Sequence, residues 1–262
     1  MRPSQALYSA LAPSYLEHFE IPHRHAYDTL AWERVRALLP ERGPIVDAGC
    51  GVGRWVGRLT GLGYDVIGVE QAPGMIAELR RAGHGPGFTL VEESMETADL
   101  AGASAGMVLA LGSLQYTGDP AATVRRFATW LRPGGTVVAL VDSLVALVIE
   151  LLRQGRTEEA MERLQTRVGS WSVAGQQADM HLMDRDRLRR IFVEAGLREV
   201  EVSGLLATAV PLGRDRLNER LRDDWDEQLA VERALSAHPV LADIGKQLLV
   251  TGQRPATGAD LE

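Results

Sequence analysis

The chain has 262 residues and a mass of 28.5 kDa, with 45% hydrophobic and 24% charged residues. This composition is typical of a soluble globular protein and excludes intrinsic disorder as its dominant state. The length is compatible with one large α/β domain. The 28 basic and 35 acidic residues give a net charge of −7, and a nucleic-acid-binding protein usually carries the opposite sign.

The chain has a single cysteine, Cys50, which excludes an intrachain disulfide and a zinc site made of several thiolates. Its longest apolar stretch, residues 144–152, is shorter than the roughly 20 residues that span a bilayer. The N-terminal segment lacks the uninterrupted apolar region of a secretory signal. We therefore expect a cytoplasmic protein that has no contact with a membrane.

Residues 1–40 have a helical pattern, because Leu7, Leu11, Tyr15 and Phe19 recur at a spacing of four. A second apolar series follows, and Pro40 ends it. We expect an N-terminal helical lid over 1–40.

From Ile45 onwards, short apolar strands alternate with amphipathic helices. Strands are expected at 45–46, 65–69, 88–91, 107–111 and 136–141, with helices from Arg54, from Pro73 to a Gly83 cap, and after Asp119-Pro120. Crossovers this short predict a parallel sheet with helices on both faces.

Residues 143–182 interrupt this alternation. They predict a long helix from Leu144 to about Val168 and then a Gly/Ser/Gln-rich loop around Trp171. A helix at 186–195, a strand at 199–203, a helical region at 214–236 and a strand at 246–251 follow. We divide one domain, 1–253, into the lid (1–40), a core (41–142), an insertion (143–182) and a part that completes the sheet (183–253), with a tail at 254–262.

The clearest motif lies at the first strand–helix junction, where Asp47 precedes Gly49, Gly51 and Gly53. Alternate glycines permit a tight turn and a close approach of a ligand to the backbone. The carboxylate of Asp47 can receive an ammonium group. Glu70 ends the second strand, 19 residues after Gly51, in the position that binds ribose hydroxyls in dinucleotide folds.

The spacing separates two classes of enzyme. Dehydrogenases have G-x-G-x-x-G, whose turn receives a pyrophosphate. Here the spacing is G-x-G-x-G, and the preceding Asp47 would repel a pyrophosphate but suits a zwitterionic amino-acid tail. At these residues the chain resembles the class I S-adenosylmethionine-dependent methyltransferases. The resemblance extends over about residues 8–253, is strongest at 45–141, and includes Leu131-Arg132-Pro133-Gly134-Gly135 before the fifth strand.

The resemblance implies a Rossmann-like, doubly wound, mostly parallel seven-stranded α/β sheet with S-adenosyl-L-methionine as cofactor. Ser94 stands where many members have an aspartate, so a serine hydroxyl or a backbone atom would accept from adenine instead. Gly106 stands where an acid often begins the fourth strand, which is a second departure from the family pattern. The implied cofactor-binding residues are Tyr15, Asp47, Gly49, Cys50, Gly51, Glu70, Gln71, Met75, Ser94, Met95, Leu111 and Gly112.

The acceptor is expected under the lid and the insertion, because ligands of open α/β sheets bind beyond the carboxyl ends of the strands. Tyr116, Asp142, Trp171 and His181 are the candidate substrate-binding residues. His181 is also the candidate catalytic base, since an imidazole can accept a proton near neutral pH. No metal-ligand spacing is present.

These features predict methyl transfer to an O, N or C atom of a small molecule, for example in natural-product biosynthesis. A sulfonium is already activated, so positioning and water exclusion are the protein's main tasks. Two alternatives stay open: a methyltransferase-fold protein that binds cofactor without transferring methyl, as a cyclisation catalyst or structural partner, and a nicotinamide-dependent oxidoreductase. A homodimer is the oligomeric state we consider.

Overall fold

A seven-stranded sheet forms the centre of the computed structural model, which describes residues 2–100, 102, 104–238 and 240–256. The strand order is β3-β2-β1-β4-β5-β9-β8, and β9 runs antiparallel to both of its neighbours. The sheet strands are β1 (Ile45–Ala48), β2 (Val66–Val69), β3 (Phe88–Val91), β4 (Ala105–Leu111), β5 (Leu131–Asp142), β8 (Arg198–Leu205) and β9 (Gln247–Gln253). The predicted doubly wound, mostly parallel sheet is confirmed.

Helices pack on both faces of this sheet. They are α1 (Pro3–Leu11), α2 (Pro22–Ala37), α3 (Arg54–Thr60), α4 (Pro73–Ala82), α5 (Pro120–Trp130), α6 (Leu144–Arg153), α7 (Thr157–Thr166), α8 (Arg185–Glu194), α9 (Ala209–Leu212), α10 (Arg214–Asp223) and α11 (Trp225–Ala237). The predicted starts at Arg54 and Pro73 are confirmed, as are the Gly83 cap and the Asp119 cap, whose carboxylate accepts the backbone N–H of Ala122.

The core lies in two layers, one on each side of the sheet. Phe127 and Phe192 fill one layer, and Leu59 and Leu109 belong to the other. β4 is buried along nearly its whole length, as expected for a central parallel strand covered on both faces.

The insertion differs from its prediction in two ways. The expected long helix is two helices, α6 and α7, separated at Gly155. The expected loop around Trp171 is wrong, because Trp171 lies in a β-hairpin of β6 (Val168–Val173) and β7 (Gln176–His181). Ala174 and Gly175 both have positive φ, as a two-residue type I′ turn requires, so the Gly/Ser-rich composition belongs to a hairpin.

Two further boundaries depart from expectation. The helical region 214–236 divides at Asp224, which caps α11 by accepting the backbone N–H of Glu227. Of the predicted tail 254–262, residues 257–262 lie outside the described residues.

The N-terminal segment is attached to the core by polar contacts. A Cβ on Gly74 would lie 2.4 Å from the carbonyl oxygen of Ser9, so this glycine allows α1 to approach α4. A buried ion cluster joins α2 to α3, where Asp28 pairs with Arg54 and Arg58. The guanidinium of Arg54 also lies 3.9 Å from the centre of the Phe19 ring. The helix that follows the glycine turn is therefore held directly by the N-terminal segment.

Candidate active site

Two adjoining cavities open beyond the carboxyl ends of the parallel strands. The smaller, about 70 Å³, lies over the glycine turn between Gly49 and Gly51, and we call it the glycine-loop cavity. The larger, about 290 Å³, lies beneath the hairpin and the N-terminal segment, and we call it the lid cavity. Tyr8, Gly112 and Tyr116 line both cavities, so these three residues mark where the two meet.

The glycine turn has a backbone that only glycine suits. Gly49 has φ +86°, and a Cβ there would lie 2.5 Å from the Cβ of Ser113. The hydroxyl of Ser113 donates to the carbonyl of Ala48 at 2.6 Å. The turn after β1 and the turn after β4 are thereby held against each other, and the floor of the glycine-loop cavity is main chain.

Asp47 lies beneath this floor with 3% of its surface exposed. Its Oδ2 atom has no hydrogen-bond partner among the residues that the structure describes. Burial, together with the negative charge of Glu70, raises the pKa of Asp47 to about 7. A buried carboxylate without a donor is costly unless a ligand pairs with it, and a cationic group is the partner that its charge requires.

Glu70 is oriented by three backbone N–H groups. Its Oε2 accepts from Gly51 at 2.9 Å, and its Oε1 accepts from Gln71 at 2.8 Å and from Ala72 at 2.7 Å. Burial raises the pKa of Glu70, and these hydrogen bonds oppose that effect. Oε2 retains acceptor capacity, so the carboxylate is positioned to bind hydroxyl groups in the cavity.

Helix α1 forms the roof of the glycine-loop cavity. The side chains of Ser4, Gln5 and Tyr8 line it, and the amide of Gln5 donates to the side-chain oxygen of Gln71 at 3.1 Å. Tyr15 packs on a small apolar cluster that includes Met75. The N-terminal segment is therefore part of the site rather than a separate appendage.

Most of the predicted cofactor residues meet in this cavity. Those that line it are Tyr15, Gly49, Gly51, Glu70, Gln71, Met75, Met95 and Gly112. Asp47 lies beneath them, and Leu111 instead packs with the core.

Cys50 and Ser94 do not line the glycine-loop cavity. The sulfur of Cys50 lies where a Cβ on Gly68 would be 2.8 Å away, and burial raises the pKa of its thiol. The hydroxyl of Ser94 accepts the backbone N–H of Glu96 at 3.2 Å. Glu93 and Met95, on either side of Ser94, line the cavity instead.

The lid cavity contains three of the four predicted substrate residues, Tyr116, Asp142 and Trp171. The amide of Gln115 donates to Oδ2 of Asp142 at 2.6 Å, and the backbone N–H of Asp142 donates back to Gln115. The ring of Tyr8 lies 5.3 Å from that of Tyr116 and 5.8 Å from that of Trp171, both edge-on. An aromatic wall therefore joins α1, the hairpin and the turn after β4.

The structure does not bring His181 to either cavity, in contrast to its prediction as substrate residue and base. Met180 and Leu182, on either side of it, line the lid cavity instead. Successive side chains of a strand point to opposite faces, and His181 lies in register with Val168 at the end of β7. The alternation of the hairpin thus removes this imidazole from the site.

His23 lines the lid cavity instead, at the start of α2. The Oδ1 atom of Asn218 accepts its backbone N–H at 2.9 Å and lies 2.8 Å from its Nδ1. Only an oxygen can accept the backbone N–H, so Nδ1 must carry the ring proton and Nε2 has the free lone pair. Nε2 has no hydrogen-bond partner within the described ranges of the chain.

The surroundings of His23 disfavour its protonated form. Burial lowers the pKa of His23, and Arg24, Arg214 and Lys246 lower it further, while the hydrogen bond to Asn218 opposes them. All three cations line the lid cavity. Their accumulation around one imidazole contrasts with the net charge of −7.

Sequence reasoning missed Tyr8, Arg24 and Lys246 as site residues. Two compositional signals point to Tyr8 and Lys246, and none points to Arg24. Of the five tyrosines, four line the two cavities, namely Tyr8, Tyr15, Tyr27 and Tyr116. Lys246 is the chain's single lysine among 28 basic residues, and it lies at the lid cavity.

The described residues lack both a candidate metal-ligand cluster and a membrane-spanning helix. In the described part of the chain, no group of three or more His, Cys, Asp or Glu side chains is placed to hold a metal ion. Over the same residues, no helix has both the length and the apolar character needed to cross a membrane.

Comparison with known proteins agrees with the geometry. A family model described as a methyltransferase domain matches residues 46–139. The chain is 30% identical over 115 residues to a ubiquinone biosynthesis O-methyltransferase of Xanthomonas axonopodis pv. citri (strain 306), which is 42% of this chain and 48% of that protein. The match therefore spans about half the length of that relative.

Solved structures of the same fold cover more of the chain. An S-adenosylmethionine-dependent methyltransferase from Mesorhizobium loti covers 85% of this chain and 97% of its own, with a TM-score of 0.57 and 21% identity. An S-adenosylmethionine-dependent methyltransferase from Methanosarcina mazei has the same coverage, with a TM-score of 0.58 and 14% identity. Identities this low establish the fold alone.

Proposed function

We propose that the chain is a class I S-adenosylmethionine-dependent methyltransferase, in agreement with the methyltransferase-domain match and the shared fold, and that it transfers the methyl group of S-adenosyl-L-methionine to a small acceptor in the lid cavity. The observation that carries this proposal is the shared wall of Tyr8, Gly112 and Tyr116, where the two cavities meet. A cofactor on one side and an acceptor on the other would face each other there. The bound cofactor supplies a sulfonium-activated methyl group, and the protein positions the acceptor and excludes water.

The residues of the glycine-loop cavity fit this cofactor. Asp47 has an unpaired buried carboxylate oxygen, which suits the ammonium of a methionine tail. Glu70 is held with acceptor capacity towards the cavity, which suits two ribose hydroxyls. Met75 and Met95 add polarisable apolar surface, which suits an adenine ring. The same Asp47 carboxylate would repel a pyrophosphate, so the oxidoreductase alternative is disfavoured.

A small acceptor is supported by the size and closure of the lid cavity. Its volume of about 290 Å³ is at the lower limit of ordinary small-molecule sites. The hairpin, α1 and α2 lie over it, and this cover leaves a macromolecular substrate little access. Transfer to an O, N or C atom, a natural-product role, a cytoplasmic location and a homodimer stay predictions from the sequence.

We assign the proton acceptor of the reaction to His23. Its Nε2 has a free lone pair because Asn218 holds the proton on Nδ1, and three nearby cations disfavour its protonation. A neutral imidazole at the acceptor cavity can receive the proton that a hydroxyl loses as it is methylated, or the proton that a neutral amine loses from the methylated ammonium it forms. His181, which lines neither cavity, is replaced in this role.

Calorimetry with S-adenosylhomocysteine tests the cofactor half of the proposal. Wild-type protein should bind it, and Asp47→Asn should weaken binding by about a hundredfold, because the ammonium loses its charged partner. Asp65→Asn, an exposed acid before β2, is the matched control and should bind as wild type. Absence of binding to the wild type would refute the proposal. Binding without transfer of labelled methyl to any hydroxyl, amine or activated-carbon acceptor would favour the alternative without methyl transfer.

A further inference from the structure

The lid cavity is lined by more cations than carboxylates, although the protein as a whole is acidic. Three cations, Arg24, Arg214 and Lys246, line it, against two carboxylates, Glu150 and Asp142. The whole chain has the opposite balance, at −7. Local positive charge in an acidic protein needs a local explanation.

The cations come from separate parts of the chain. Arg24 lies in the first turn of α2, Arg214 begins α10, and Lys246 directly precedes β9. All three act on the His23 imidazole, which places them around one point of the cavity. The fold therefore brings together three cations that are far apart in the sequence.

Glu150 neutralises only part of this charge. Its carboxylate pairs with Lys246 at 3.1 Å and with Arg214 at 2.9 Å, so two cations share one anion. Arg24 is half-buried, and it has no ion pair or hydrogen-bond acceptor among the side chains that the structure describes. A guanidinium in this position retains its donors for a ligand and suits a carboxylate or phosphate.

We propose that the methyl acceptor carries an anionic group, a carboxylate or a phosphate, which Arg24 binds at the cationic end of the lid cavity with the support of Lys246. This inference rests on the proposed function, because it names the class of acceptor for that same cavity. The acceptor is then an acid with a separate nucleophilic atom.

Asp142 gives this acceptor a direction. Gln115, the residue before Tyr116, donates to the Asp142 carboxylate. Asp142 also acts electrostatically on Tyr8 and Tyr116, which line both cavities, and on Tyr27, which lines the lid cavity alone, so its charge reaches the wall that the two cavities share.

A carboxylate near this wall repels an anionic group and accepts hydrogen bonds from a hydroxyl or amine. Charge therefore favours the acid group on Arg24 and Lys246 and keeps it away from the wall at Tyr8 and Tyr116. The nucleophilic atom then lies between that wall and His23, which receives its proton.

The test measures binding of matched aromatic probes to protein saturated with S-adenosylhomocysteine. The probes are 4-hydroxybenzoate, phenyl phosphate and the neutral 4-hydroxybenzamide, titrated at low salt by calorimetry. The two anions should bind at least tenfold more tightly than the amide, and the ranking of benzoate against phosphate identifies the group. Arg24→Gln should lose about tenfold of anion affinity and leave amide binding unchanged.

Two variants make the result specific to the cluster. Glu150→Gln releases Arg214 and Lys246 from their anion and should raise anion affinity several-fold, the opposite sign to Arg24→Gln. Arg36→Gln, on the exposed side of the same helix α2, is the matched control and should bind as wild type. A Glu150→Gln variant that binds anions less tightly would contradict the charge argument.

Failure of this inference is distinguishable from failure of the proposed function. Protein that binds S-adenosylhomocysteine but binds neither anion, or binds them no better than the amide, refutes the anionic acceptor alone. If Arg24→Gln and Arg36→Gln lost the same anion affinity, general surface charge would explain the loss. That result would also refute the anionic acceptor. Protein that binds no S-adenosylhomocysteine at all refutes the proposed function first.

Discussion

The two cavities share a wall but are built in opposite ways. The glycine-loop cavity consists mainly of turns after β1, β2 and β4. The charged residues that line it, Glu70 and Glu93, are acids, and Asp47 is buried beneath it. The lid cavity consists of side chains from α1, α2, α6, α10 and the hairpin, and cations outnumber acids. The first cavity is coded by short contiguous motifs, and the second by residues that only the complete fold brings together.

Under the proposed function, the difference follows from what each cavity would bind. A cofactor common to a whole family can be held by backbone geometry, which requires glycines at particular turns and a few acids. Many of the side chains that line the lid cavity lie on helices and on the hairpin rather than on the sheet, so they can change without disturbing the sheet. Tyr8, Gly112 and Tyr116 form the boundary between the two cavities. We expect substitutions on the lid-cavity side of this boundary to change which acceptor is bound, and substitutions on the other side to leave the choice of acceptor unchanged.

The largest effect should come from Asp28, which ties the two regions together. Replacement by alanine leaves Arg54 and Arg58 without their anion, and removing one partner of a buried ion pair costs about 3–5 kcal/mol of unfolding free energy. Urea unfolding measures this loss. Glu33→Ala, whose pair with Arg233 is exposed on the same helix, should cost at most about 1 kcal/mol. Equal losses in the two variants would mean that the Asp28 cluster does not hold the cavities together.

Asp47 should show a gain of stability paired with a loss of affinity. Its pKa of about 7 in the free protein lies above the unfolded value, so its ionisation destabilises the fold as pH rises from about 4 to 7. Asp47→Asn should raise the unfolding free energy of the free protein at pH 8 by up to about 4 kcal/mol.

The same group should make cofactor affinity depend on pH. Pairing with an ammonium lowers the pKa of Asp47, so binding releases a proton, and affinity for S-adenosylhomocysteine should rise towards pH 8 by up to tenfold per unit below pH 7. Calorimetry in buffers of different ionisation enthalpy measures the released proton. Asp47→Asn should remove the dependence, and a wild-type affinity that is flat from pH 6 to 8 would contradict the pairing.

This contrast also explains how much the sequence could predict. The alternation from Ile45 onwards, the Asp119 cap and the glycine turn depend on neighbours in sequence, and all are confirmed. The hairpin is not predicted, because its Gly- and Ser-rich composition usually indicates irregular structure. The turn that joins its strands depends on the positive φ of Ala174 and Gly175. His23 and Asn218 are 195 residues apart, and no local pattern connects them.

His23 should control the acid limb of methyl transfer. Because burial and three cations lower its pKa, the fall of wild-type kcat at acid pH should lie at lower pH than an ordinary histidine would give. Arg24→Gln removes one of those cations and should move the limb to higher pH. His23→Phe should lower kcat by about 10²–10⁴-fold and abolish the limb. A His23→Phe limb identical to that of the wild type would exclude the imidazole as the proton acceptor.

We expect the smallest effect from thiol labelling of Cys50. This residue lies in the glycine turn but is buried in the core, so its reactivity shows how rigid the turn of the glycine-loop cavity is. Burial and the charges of Asp47 and Glu70 raise the pKa of its thiol, so native protein should contain almost no thiolate to react with Ellman's reagent at pH 8. Unfolding in urea should release one reactive thiol per chain. Rapid native labelling, unchanged by S-adenosylhomocysteine, would show that the glycine turn opens in solution and is less rigid than its contacts with Gly68 and Ser113 imply.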